Sequence, residues 1–174
     1  ARVWWMLRWI GFDRVALLDG GLGAWITAGY PLSNEPAKRT AQKLTVNSRP
    51  ELIAYRDEVY AAITDENVHI IDAMPESHYR GEMVLYDWPG HIPSATNTPS
   101  SSLLDESDPY QPHDELAAIL SSDPADRTIT YCGGGISASS NAFILSRLGF
   151  TDVAVYMGSL QEWTADTDNP MEVE

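Results

Sequence analysis

A run of β-branched and aromatic residues, Thr128-Ile129-Thr130-Tyr131, ends at Cys132 and breaks into Gly133-Gly134-Gly135 before a helical pattern opens. The run reads as a strand by alternation and β-branching. From Ser137 onward, Ala138, Ala142, Leu145 and Leu148 fall on one helical face, and Gly149 is placed to end it. A thiol at such a strand-to-helix turn lies at the carboxyl end of the sheet of an α/β protein, where these folds put their ligand crevice. Three glycines let successive N–H groups point into one concavity, and the following helix adds its positive end. Such a nest favours a thiolate, the nucleophilic form of Cys132.

Two plainer readings compete. A lone cysteine is more often a small buried hydrophobe, and a glycine turn can be a mere connector. Position argues against this, because a triple-glycine turn is costly in chain entropy unless something must approach the backbone. A phosphate loop would close on Gly-Lys-Ser/Thr. No lysine follows Lys43, so that reading fails.

Length and charge narrow the function. The 174 residues allow one domain with a sizeable core plus an appendage. A net charge of −14 argues against nucleic acid or an anionic membrane surface as partner. Acidic residues gather over 105–126 and 162–174 and read as solvated surface. A single cysteine excludes an internal disulfide and gives no sign of an oxidising compartment. His69, His78, His91 and His113 lack metal-ligand spacing, so neither a metal nor another cofactor is expected. The opening stretch is broken by Arg2 and Arg8 and is too short to span a bilayer, so a cytoplasmic protein is expected.

The two ends of the chain repeat each other at one constant offset. Gly11-Phe12 recurs as Gly149-Phe150, Val15-Ala16 as Val153-Ala154, Gly20 as Gly158, Leu22 as Leu160 and Trp25 as Trp163. Each copy reads as the end of a helix, a glycine stop, a short buried strand over Val15–Leu18 or Val153–Tyr156, a glycine turn and a helix carrying a core tryptophan. The expected organisation is a helix-strand-helix remnant of a first module over 1–33, a linker over 34–42 and a complete module over 43–174. The unpaired edge and the apolar faces of 1–33 should pack on the complete module, with any remainder favouring self-association.

Within the complete module, Leu44-Thr45-Val46 reads as a strand and Pro50 to Ile63 as a helix. Val68–Asp72 is a continuous apolar strand of the buried parallel kind. A short helix over Glu76–Arg80, a turn and brief strand within Gly90–Pro99, and a helix over Glu115–Leu120 follow, before the Thr128 strand. Alternation of this kind predicts an α/β fold: a parallel sheet with helices on both faces.

Asp72-Ala73, Tyr79-Arg80-Gly81, Gly90-His91-Ile92-Pro93-Ser94-Ala95-Thr96-Asn97, Tyr131-Cys132 with its loop, and Gly158-Ser159-Leu160-Gln161-Glu162-Trp163 occur in that order. Together they resemble the rhodanese family of sulfurtransferases. Residues 1–33 resemble the end of a second such module, as in tandem thiosulfate and 3-mercaptopyruvate sulfurtransferases. The resemblance implies that Cys132 takes a sulfur from a small-molecule donor, holds it as a persulfide, and passes it to cyanide, a thiol or a thioredoxin-like acceptor. The N–H groups of Gly133, Gly134, Gly135, Ile136, Ser137 and Ala138 would hold the anion. Ser137 would also cap the helix.

The loop departs from both family patterns. Thiosulfate enzymes tend to carry Cys-Arg-Lys-Gly and mercaptopyruvate enzymes Cys-Gly-Ser-Gly, whereas this chain has Cys-Gly-Gly-Gly. His78 stands where the family often has arginine, so Arg80 and His78 are the candidates for binding a donor carboxylate. A cysteine phosphatase of this fold would need arginine six positions after the cysteine, where Ala138 stands. A persulfide carrier without turnover, or an interaction domain, is the alternative from another class. Asp72 and His91 read as structural.

Overall fold

The computed structural model of the chain describes residues 1–105, 109–120 and 126–174. Its centre is one sheet of five strands: β1 (Ile53–Ala54), β2 (Val68–Asp72), β3 (Thr96–Asn97), β4 (Arg127–Tyr131) and β5 (Val153–Tyr156). All neighbours are parallel, in the order β1-β5-β4-β2-β3. Asp72 at the end of β2 stands level with Tyr131 at the end of β4, so the candidate loop leaves the middle of the sheet. Thr128 to Tyr131 and Val153 to Tyr156 are buried without exception. Successive strand side chains point to opposite faces, so unbroken burial means that both faces are covered.

The helices supply that cover. They are α1 (Arg2–Trp9), α2 (Gly21–Thr27), α3 (Arg56–Ala62), α4 (Glu76–Tyr79), α5 (His113–Ile119), α6 (Ile136–Arg147) and α7 (Ser159–Trp163). α6 packs on β4 and β5, α3 packs on β2, and α1 packs on α6. None is long and apolar enough to cross a membrane. The acidic stretch over 105–126 falls partly outside the described residues.

Four readings of the sequence need correction. Leu44–Val46 is not a strand: it lies in irregular chain with Leu44 and Val46 exposed. Its neighbours Asn47 and Arg49 instead donate backbone hydrogen bonds to Ile10 and Trp9 at the end of α1. Pro50 to Ile63 is not one helix but a 3₁₀ turn over Pro50–Leu52, then β1, then α3. Tyr55 breaks the run in an extended conformation, and β1 joins the sheet edge beside β5. Val15–Leu18 repeats the pattern of β5 yet forms no ladder, because no strand lies alongside to pair with it among the described residues. Trp25, equivalent to the fully buried Trp163, is only half-buried, with its indole N–H on the Pro31 carbonyl and its ring against Tyr30.

The first copy is nevertheless part of the packed body at one end. Trp5 is wholly buried and donates its indole N–H to the Leu52 carbonyl at 3.1 Å. Trp4 meets Phe143 of α6 edge-on at 4.8 Å, and Arg8 bonds Ser146 of α6. Leu18, Leu22 and Ile26, by contrast, remain exposed. If α1 is integral, Trp5→Ala lowers the stability of the full chain by about 3–5 kcal/mol, the usual cost of a large buried aromatic. Urea unfolding checks it; an unchanged midpoint would mean that α1 only leans on the surface.

Candidate active site

The chain between β4 and α6 is defined by what holds its carbonyls. The Cys132 carbonyl accepts the Leu160 N–H at 3.0 Å, and the Gly133 carbonyl accepts the Gln161 N–H at 3.0 Å, both from the start of α7. The Gly134 carbonyl accepts Nη1 of Arg2 at 3.1 Å. The Gly135 carbonyl accepts the Ser139 hydroxyl at 2.7 Å. In a planar trans peptide, C=O and the following N–H point in opposite directions. Each carbonyl held in this way turns the N–H that follows it away from the carbonyl's donor. Among the described residues, the N–H groups of Gly133 to Ala138 bond no backbone or side-chain acceptor. Successive N–H groups without a protein acceptor form the kind of backbone concavity that takes an anion.

Two further residues brace the cysteine. The Cys132 N–H donates to Oγ of Ser159 at 3.2 Å, and that hydroxyl donates onward to the Tyr156 carbonyl at 2.7 Å. Ser159 sits at φ 51°, a conformation that costs a non-glycine residue energy, and its two side-chain bonds offset that cost. Gly135 takes φ 74° at the N-cap of α6, where a Cβ would stand 3.2 Å from the Met157 backbone and 2.6 Å from Arg2 Nη1. Glycine is required there. Ser137 therefore does not cap the helix as expected, because the left-handed Gly135 holds the capping position and α6 has no side-chain cap.

Of the residues expected at the site, Cys132 is buried, and Gly133 to Ala138 follow it directly in the turn and the first residues of α6. Ile136 turns its side chain outward. Arg80 ion-pairs with Glu76 at 2.6 Å and approaches Glu174 at 3.9 Å. It lines a cavity whose walls include Thr96, Asn97 and Ser102. His78 is buried at the last turn of α4.

Tyr86 and Arg2 escaped sequence reasoning. The Tyr86 hydroxyl lies over Gly133, where any Cβ would overlap it. Burial and the nearby charge of Cys132 push the Tyr86 phenol up. Both residues reach the loop across long stretches of chain, and no local periodicity marks them.

Asp72 and His91 support the framework, as read from the sequence. Asp72 accepts the Met74 N–H at 2.7 Å and the Tyr131 hydroxyl at 2.8 Å, and Tyr131 accepts the Ile92 N–H in turn. His91 donates from Nδ1 to the Tyr79 carbonyl at 2.7 Å and stacks on that ring at 3.7 Å. Among the described residues, no cluster of His, Cys, Asp or Glu could hold a metal ion.

Comparison with known proteins places this geometry. Residues 55–166 match the model of the rhodanese-like domain. A probable 3-mercaptopyruvate sulfurtransferase of Pseudomonas aeruginosa is 34% identical over 98% of this chain and 62% of its own length. A putative thiosulfate sulfurtransferase of Mycobacterium tuberculosis is 33% identical over 99% of this chain and 66% of its own. A 3-mercaptopyruvate sulfurtransferase of Escherichia coli is 31% identical over 98% and 63%. The chain thus spans somewhat less than two thirds of the length of these relatives. An anaerobic ergothioneine biosynthesis enzyme from Chlorobium limicola superposes with a TM-score of 0.89 over 99% of this chain and 44% of that one. At 24% identity the likeness is one of fold.

The buried Asp72 sets a pH dependence. Burial raises its carboxyl to about 6 and outweighs the hydrogen bonds from Met74 and Tyr131, which pull it down. An acid whose folded value lies above its unfolded value holds its proton better when folded, so the contribution of Asp72 to stability is greatest below about pH 4 and is lost as pH rises through 6. The span is worth roughly 3 kcal/mol. Asp72→Asn should flatten that segment of a stability-versus-pH curve. A slope that survives the substitution would belong to another group.

Proposed function

The chain belongs to the rhodanese-like domain family, and from that membership we propose that it is a sulfurtransferase working through a persulfide on Cys132. The observation that carries the reading is the run of six amides, Gly133 to Ala138, that bond no protein acceptor among the described residues and directly follow the only cysteine in the chain. A thiolate and a persulfide are both anions, so one cradle suits both states of the cycle. The relatives named for 3-mercaptopyruvate and thiosulfate transfer support the same reading.

The chemistry divides into two displacements. The Cys132 thiolate attacks the outer sulfur of the donor. With 3-mercaptopyruvate the C–S bond breaks, its electrons pass to the pyruvate enolate, and a solvent proton completes pyruvate. With thiosulfate the S–S bond breaks and sulfite leaves. Cyanide or a thiol, including that of a thioredoxin-like protein, then attacks the outer sulfur of the persulfide and returns the thiolate. No resident cofactor enters the cycle, and a cytoplasmic setting suits a cysteine that must be reduced between turnovers.

Donor choice follows from charge. The loop has no basic side chain of its own for a dianionic donor, which favours 3-mercaptopyruvate over thiosulfate. His78 and Arg80 remain candidates for the donor carboxylate; Arg80 first has to leave Glu76. Residues 1–33 fit the reading of the closing part of a first module in a tandem protein, whose exposed Leu18, Leu22 and Ile26 would face that module or self-associate.

Thiocyanate formation from each donor and cyanide tests the proposal. Turnover with 3-mercaptopyruvate should exceed that with thiosulfate, and Cys132→Ser should abolish both, because a hydroxyl cannot carry a sulfane sulfur. A single stoichiometric release without turnover would identify a persulfide carrier instead. Arg80→Ala should leave KM unchanged if the guanidinium stays with Glu76; a raised KM would place it on the donor.

A further inference from the structure

Three peptide planes carry the first three amides of the cradle, and each is set by the donor on its carbonyl. Backbone N–H groups of Leu160 and Gln161 set the planes that aim Gly133 and Gly134. The third plane, which aims the Gly135 N–H, is set by a side chain: Arg2 on the Gly134 carbonyl at 3.1 Å. Arg2 comes from α1, outside the 55–166 stretch that matches the family model.

A second observation bears on the charge of Arg2. Arg8, Arg49, Arg56, Arg80 and Arg127 are each ion-paired. Arg2 pairs with no carboxylate among the described residues, so its charge at the loop is uncompensated. This occurs in a chain of net charge −14 whose cysteine loop carries no cation of its own. The packing is built to hold it: Trp5 and Trp4 anchor α1, and Gly135 leaves the space that Nη1 fills.

We propose that Arg2 is a positioning residue for the Cys132 loop: it fixes the peptide that aims the Gly135 N–H into the anion cradle and lends the loop its positive charge. Arg2 acts through the loop and need not touch the donor. A charged hydrogen bond of this kind carries more than a neutral one, so its loss should be felt at the cysteine. The inference deepens the reading of Cys132 as the sulfur carrier and rests on that reading only for its meaning in catalysis.

The test uses Cys132 itself, since any thiol label on this chain reports that residue alone. Alkylation rates with anionic iodoacetate and neutral iodoacetamide are compared in the full chain. In the wild type, iodoacetate should be favoured relative to a free thiol such as N-acetylcysteine, despite the acidic protein. Arg2→Met should lower the iodoacetate-to-iodoacetamide ratio by about tenfold and move the Gly135 amide resonance. A merely structural role would lower the unfolding midpoint and leave the ratio alone. A wild-type ratio no higher than that of the free thiol overturns the proposal, whether or not Arg2→Met folds. So does an Arg2→Met chain with the wild-type ratio and the wild-type Gly135 resonance. A chain that keeps the Arg2-dependent ratio but transfers no sulfur supports the positioning role and rejects the sulfurtransferase reading, so the two failures are distinct.

Discussion

The site depends on where four carbonyls go. A glycine-rich turn has no side chains with which to choose its conformation, and its freedom is an entropic burden. In this chain Leu160, Gln161, Arg2 and Ser139 each take one carbonyl between Cys132 and Gly135. Among the described residues the amides that follow bond no protein acceptor, and they come directly after the cysteine. On the proposed function, binding and chemistry become one arrangement, because a thiolate or persulfide would give these donors the acceptor they lack.

That arrangement draws on distant parts of the chain. α7 reaches the loop because β5 lies beside β4 in the sheet. α1 reaches it because Trp4 and Arg8 pack on α6, the helix that the loop begins. Residues of α1 are therefore integral to the packing around the loop. Tyr86 lies over Gly133 from a third direction, on the stretch between Gly81 and Gly90.

Much of this was legible in the sequence where local patterns are strong. The β-branched run before Cys132 and the apolar run over Val68–Asp72 appear as read, and the helix read from Ser137 begins one residue earlier at Ile136, because buried parallel strands and long helices impose their own periods. β1 was missed because a two-residue strand carries no period, and it was swallowed into a helix that Tyr55 interrupts. Val15–Leu18 has the composition of a strand but lacks a neighbour to pair with, and pairing is a tertiary fact. Ser137 had the chemistry of a cap, yet a glycine in the left-handed region took the place. Ser159 stood within a recognised motif without its role being visible. Arg2 could not be found from local pattern at all, since its one bond to the loop spans 132 residues.

The central claim, that the six amides from Gly133 to Ala138 hold the sulfur on Cys132, is open to direct measurement by amide resonances before and after loading with a sulfur donor. Mass spectrometry would confirm the gain of one sulfur, with Cys132→Ser as control. The account predicts that the resonances of Gly133 to Ala138 move downfield on loading while those of β2 stay in place. A persulfide confirmed by mass with these six resonances unmoved would contradict it.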